Sequence, residues 1–110
     1  MKTYIKLFVL FIAHVLLFTT AVLAQETHKV GQKNKEFTTD KIVVKKGDSV
    51  EFVNEDPFFH NVFSLSDAAM FDLGSFPQGN SKKVVFEESG EVEVECAIHP
   101  NMRMTVVVED

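Results

Sequence analysis

Cys96, His99 and Met102 fall within one seven-residue stretch, and His60 lies 36 residues upstream. Their side chains are the donor types that hold a single copper ion. Thiolate and thioether sulfur are soft and favour Cu(I), while imidazole suits copper in both oxidation states. A trigonal thiolate–imidazole set with a weak axial sulfur lies between the geometries that Cu(II) and Cu(I) prefer. Little then moves when an electron moves. Pro100 fixes φ inside the stretch and stiffens it. The plainer reading is a buried, inert Cys96 with incidental His and Met neighbours, since a lone cysteine often behaves as a small hydrophobe.

Such ligands need a rigid frame, and the surrounding pattern supplies one. Glu91, Glu93 and Glu95 alternate with Val92, Val94 and Cys96. Period two marks a strand with one wet and one dry face, and Cys96 ends the dry row. Residues 49–54 alternate too, with Val50, Phe52 and Asn54 on one face and Glu51 and Val53 on the other. Further short strands are expected over residues 28–33, 41–46, 60–65, 81–86 and 105–108, with Phe37 as an isolated apolar anchor. Gly47-Asp48, Pro77-Gln78-Gly79-Asn80 and Glu88-Ser89-Gly90 read as turns. Residues 66–76 read as irregular, with one helical turn near 67–71. About seven short strands without an amphipathic helix argue for an all-β antiparallel sandwich or barrel. The stretch from Cys96 to Met102 then becomes the loop between the last two strands, and His60 opens another.

The first 24 residues read as an address and not as part of this frame. Lys2 and Lys6 precede an apolar run over residues 7–18, and Val22-Leu23-Ala24 offers a small-residue cleavage site before Gln25. The rival is a retained membrane anchor of borderline length. His14, Thr19 and Thr20 weaken that rival, and no basic stop follows. A leader over 1–24 leaves one domain over 25–110, placed in the periplasm or secreted. It carries 9 basic against 16 acidic residues, since Lys2 and Lys6 leave with the leader. Acidic charge without a Lys/Arg-rich block argues against nucleic-acid binding. One cysteine cannot form an internal disulfide, and a free thiol in an exported chain suits a metal-capped sulfur. The length fits a single domain.

On these residues the chain resembles the plastocyanin/azurin group of cupredoxins, and more closely the amicyanin-like small blue copper proteins. V-N-E-D at 53–56, H-N-V at 60–62 and C-A-I-H-P-N-M-R at 96–103, followed by V-V-V-E, carry the resemblance. It covers roughly residues 37–109. It implies a two-sheet Greek-key β-sandwich with copper at one end, carrying single electrons between larger redox proteins. By position it implies His60, Cys96, His99 and Met102 as metal ligands. It also implies that Asn61 ties the two ligand loops together. Met104 competes with Met102 for the axial place, and the H-P-x-M-R run favours Met102. Val94 stands where relatives often carry an aromatic. Glu95 adds a negative charge beside the site unless it turns to water.

The resulting expectation is a monomeric blue copper electron carrier, not an enzyme. Redox partners would dock transiently near His99, with no nucleic acid and no stable membrane insertion of the mature chain. The alternatives are a copper delivery or storage module with the same ligands, or an interaction domain of this fold without metal. Phe58 and Phe59 read either as an apolar docking rim or as core closure. The Glu87 to Glu95 acidic run reads as a solvated face. His28 reads as a surface residue, and nothing in the sequence brings Asp67, Asp72, Glu55 and Asp56 together.

Overall fold

The computed structural model describes residues 25–110; the leader expected over 1–24 lies outside the described residues. Nine strands form there: β1 (Thr27–Lys33), β2 (Glu36–Phe37), β3 (Lys41–Lys45), β4 (Ser49–Asn54), β5 (His60–Ser66), β6 (Ala69–Phe76), β7 (Ser81–Val85), β8 (Gly90–Glu95) and β9 (Arg103–Glu109). They build the expected sandwich of two sheets, ordered β2-β1-β4-β7 and β3-β9-β8-β5-β6. Among the described residues no helix is long and apolar enough to cross a membrane.

The alternating rows become the core. Val50, Phe52 and Asn54 of β4 are buried, as are Val92 and Val94 of β8 and Val106 and Val108 of β9. Phe37 meets Phe52 edge-on at 6.0 Å between centroids, and Phe71 meets Phe86 likewise at 6.0 Å. Each fully buried Val or Phe contributes roughly 1.5–3 kcal/mol of transfer free energy. Those two faces, pressed together, are the main hold on so short a chain.

Two departures from the sequence reading have physical causes. The pairing is not wholly antiparallel, because β1 runs parallel to β4 and β3 parallel to β9. Parallel neighbours lie far apart in sequence, so no hairpin turn announces them. The second correction is β6, which replaces the irregular stretch and helical turn expected there. Asp72 opposes Phe63 while Ser75 opposes Asn61, which leaves one extra residue on β6. Gly74 supplies that bulge with φ 73°, a left-handed backbone that glycine tolerates. Ala69, Phe71 and Leu73 turn partly inward before the bulge and Phe76 turns inward after it. The parity change hides the period of two. The exposed edge at β6 is capped from the other sheet, where Lys82 Nζ donates to the Leu73 carbonyl at 2.6 Å.

Strand directions set the position of the ligands. β5 begins at His60, β8 ends at Glu95, and the two are antiparallel with Phe63 opposite Glu95. Cys96 therefore leaves its strand at the pole where His60 enters. The opposite pole carries the start of β1 and the Gly47-Asp48 turn, since Thr27 and Ser49 are partners in register.

Candidate metal centre

The dry row of β8 delivers Cys96 inward at 2% exposure, next after Val92 and Val94. The chain then turns back through residues 97–102. Met102 N–H donates to the His99 carbonyl at 2.9 Å, and Cys96 N–H donates to the Met102 carbonyl at 3.3 Å. Asn61 Oδ1 accepts Ala97 N–H at 2.6 Å, so the strand carrying His60 holds the loop carrying Cys96. That tie is the role the resemblance implied for Asn61.

Three donor atoms converge at this pole. Cys96 Sγ lies 3.8 Å from His60 Nδ1 and 4.0 Å from His99 Nδ1, and the two Nδ1 atoms are 3.2 Å apart. A metal about 2 Å from each nitrogen and about 2.3 Å from the sulfur needs separations of this size. His60 is fully buried and Cys96 nearly so, while His99 is half-buried and forms the ligand edge that solvent reaches. Burial first, then the charges of His60 and Lys35, hold the His99 pKa below its usual value against the opposing pull of Asp56. That favours the neutral imidazole a metal requires.

Met102 is 1% exposed and immediately precedes β9. In the β8–β9 register Val94 pairs with Met104 and Glu95 with Arg103. Continuing by one pair sets Met102 opposite Cys96, and opposed side chains on one face are close neighbours. Met104 sits one inward position deeper, beside Val94. His60, Cys96 and His99 are thus brought together directly, and Met102 is a buried neighbour of Cys96 whose carbonyl accepts the Cys96 amide.

The surroundings show what the sequence left open. Glu95 turns away from the centre and pairs with Arg103 Nη2 at 3.1 Å. The Phe58 ring lies 5.3 Å from both the His60 and His99 rings, so it covers the ligand pair while staying one-third exposed. Phe59 and Ile98 are about half exposed beside it.

Asp56 is the residue sequence reasoning missed. Its Oδ2 lies 2.7 Å from His60 Nε2, and its carboxylate accepts the amides of Asn34 and Lys35 at 2.8 and 3.0 Å. Burial works against its ionised form, but the donors Lys35, His60 and Asn34 together hold its carboxyl below the usual range. The only signal in the sequence was an Asp four residues before a candidate ligand.

A second His–carboxylate group stands at the far pole. His28 Nε2 is 3.0 Å from Asp48 Oδ2 and 3.9 Å from Glu26 Oε2. His28 is half-buried there, not the plain surface residue expected. Asp48 also accepts the amides of Glu26 and Lys45, each at 3.0 Å.

Comparison with known proteins points to one family. Residues 24–109 match a family model described as copper binding proteins, plastocyanin/azurin family. The chain is 28% identical over 105 residues to the methylamine utilization protein MauL of Methylorubrum extorquens, covering 94% of this chain and 92% of MauL. It is 30% identical over 95 residues to amicyanin of Paracoccus denitrificans, covering 84% of this chain and 72% of amicyanin. A solved structure of a reduced, Cu(I) form of an amicyanin mutant superposes with TM-score 0.71 at 28% identity, covering 84% of this chain and 90% of that one.

Proposed function

The chain belongs to the plastocyanin/azurin family of copper-binding proteins, and from that premise we propose that it carries single electrons between redox proteins through one copper ion. His60, Cys96 and His99 would hold the ion, and Met102 would offer it a fourth, weaker sulfur donor. Copper, when bound, supplies the Cu(II)/Cu(I) couple. The observation that carries this reading is the convergence of one thiol sulfur and two imidazole nitrogens, 3.2–4.0 Å apart, at one pole of a stiff sandwich.

Each residue has a separate task. Cys96, as thiolate, gives the strongly covalent, soft contact. His60 is the buried ligand, locked by the fold. His99 reaches solvent and is the exit for the electron. Phe58, Phe59 and Ile98 surround that exit with apolar surface, where a redox partner docks transiently. Cys96, two His and Met102 would give the metal four protein donors, whereas a catalytic metal keeps a position open, so the role proposed is carriage and not catalysis. The family match begins at residue 24. That start agrees with a leader over 1–24 and a single copper domain over 25–110; a monomer working in the periplasm or outside the cell completes the proposal.

Burial of Cys96, His60 and Met102 favours electron carriage over metal exchange, which needs ligands an acceptor can reach. The test is direct. Purified protein given Cu(II) develops the intense visible absorption of thiolate-to-copper charge transfer and shows reversible one-electron voltammetry. Cys96→Ser removes both. A colourless protein that holds only Cu(I) would establish the delivery reading instead.

A further inference from the structure

Asp56 is 4% exposed, and both its oxygens are engaged away from the metal position. Oδ1 accepts Asn34 N–H at 2.8 Å, and Oδ2 accepts Lys35 N–H at 3.0 Å while facing His60 Nε2 at 2.7 Å. The Asp56 amide in turn donates to Asn54 Oδ1 at 2.8 Å. Asn54 is itself fully buried, and its Nδ2 donates to the carbonyls of Phe58 and Phe76 at 2.8 and 2.9 Å. The two amides that hold the carboxylate belong to the turn between β1 and β2. Asn34 and Lys35 there both take left-handed φ, 56° and 59°, as a two-residue hairpin turn of the I′ type demands. The carboxylate is therefore pinned from both sides and cannot turn to solvent.

An ionised carboxylate only accepts. At 2.7 Å it requires the His60 proton on Nε2, which leaves the Nδ1 lone pair facing Cys96 Sγ and His99 Nδ1. We propose that Asp56 is a positioning residue of the copper centre: it locks the His60 tautomer and, as a fixed negative charge one imidazole ring from the metal, favours Cu(II) and lowers the reduction potential. The inference rests on the electron-carrier reading above.

The sign follows from Coulomb's law, since an anion stabilises a dication more than a monocation, and more so where water is excluded. The Lys35 ammonium is an opposing charge on this side of the molecule, 5.6 Å from the centre of the Phe58 ring. Lys35 is exposed, so its charge reaches the centre partly screened by water, while the carboxylate is buried and acts through the His60 ring itself.

Two variants and one measurement on the unaltered protein test this. Asp56→Asn keeps the shape and a carbonyl to accept from His60, but loses the charge. At a fixed applied potential its Cu(II):Cu(I) ratio should fall about tenfold, an upward shift of about 59 mV for one electron. Asp56→Glu keeps the charge and should stay within about threefold of the native ratio. If Asp56→Asn retains the thiolate absorption and the native ratio, the potential-setting role is wrong. In the metal-free native protein, nitrogen-15 NMR should find His60 protonated at Nε2 with a slowly exchanging proton; protonation at Nδ1 would overturn the positioning role without any variant. Native protein that never develops thiolate-to-copper absorption would sink the carrier reading, and the tautomer measurement would still decide what Asp56 does to His60.

Discussion

Both poles of the sandwich place a histidine against a carboxylate, His60 against Asp56 at 2.7 Å and His28 against Asp48 at 3.0 Å. What differs is the other side of the ring. At the loop pole the second nitrogen of His60 meets a thiol sulfur and a second imidazole nitrogen, with no backbone group to satisfy them. At the far pole Asp48 is spent on the amides of Glu26 and Lys45, which fasten the start of β1 to the Gly47-Asp48 turn. A histidine–carboxylate pair is therefore not a site in itself. Glu26, His28 and Asp48 also gather donor atoms within 4.8 Å of one another, but Asp48 is committed to backbone amides and Glu26 is exposed, whereas the donors converging at the loop pole have no backbone partner.

The largest expected effect separates the poles. His60→Ala removes the buried imidazole proposed as a ligand, and Cu(II) affinity should fall by more than the roughly 10–100-fold typical of losing an outer partner of a metal ligand. The visible absorption should go with it. His28→Ala should leave copper stoichiometry and colour untouched and cost about 0.5–1.5 kcal/mol of stability, one hydrogen bond's worth. Copper titration by calorimetry, beside thermal unfolding of both variants, reads the difference. If His28→Ala were the one to lose copper, the poles would have been assigned the wrong way round.

The contrast also explains how much of this was legible in the sequence. Cys96, His99 and Met102 share one loop, and the Val92, Val94, Cys96 row declares which way the sulfur points, so motif spacing with local periodicity was enough to single out Cys96 and His99, which the structure brings together. His60 needed only the start of a strand. Asp56 was illegible because the two turn amides that fix it lie 21 and 22 residues upstream, on a hairpin whose approach no local pattern encodes. β6 was missed for the opposite reason, a local irregularity: the bulge at Gly74 breaks its alternation midway. The parallel pairs were hidden by sequence distance. His28 looked like a loose surface group because its partner Asp48 was read only as part of a turn.

Within the copper pole, two methionines sharpen the comparison. Both are buried, Met102 at 1% and Met104 at 2%, and both face inward from the same row. Met102→Gln should move both the visible spectrum and the potential, because it changes the group opposite Cys96. Met104→Ala should leave them near native and instead lower stability by about 2–5 kcal/mol, the usual cost of emptying a buried methionine site. Spectroscopy with denaturant unfolding distinguishes them. A spectrum that answers to Met104→Ala and not to Met102→Gln would reverse the axial assignment.

The smallest effect belongs to the far pole and appears only in acid. The Asp48 carboxyl is lowered from 3.8 to about 2, first by the Glu26 amide, then by the His28 ring and the Lys45 amide, against the opposing effect of burial. Its folded-state pKa lies below the unfolded one, so its stabilisation is complete above the unfolded value and drains away as pH falls through about 2. Asp48→Asn has no such charge to lose. The gap in unfolding temperature between native protein and Asp48→Asn should stay constant above about pH 5 and narrow steadily toward pH 2. Copper-free protein is the material to use, because metal loss in acid would otherwise mask the trend. Asp56 also titrates low, but it is present in both proteins and cancels in the difference. A gap that stays constant down to pH 2 would mean that the far pole is held by packing and neutral hydrogen bonds, and that its carboxylate charge contributes nothing to the fold.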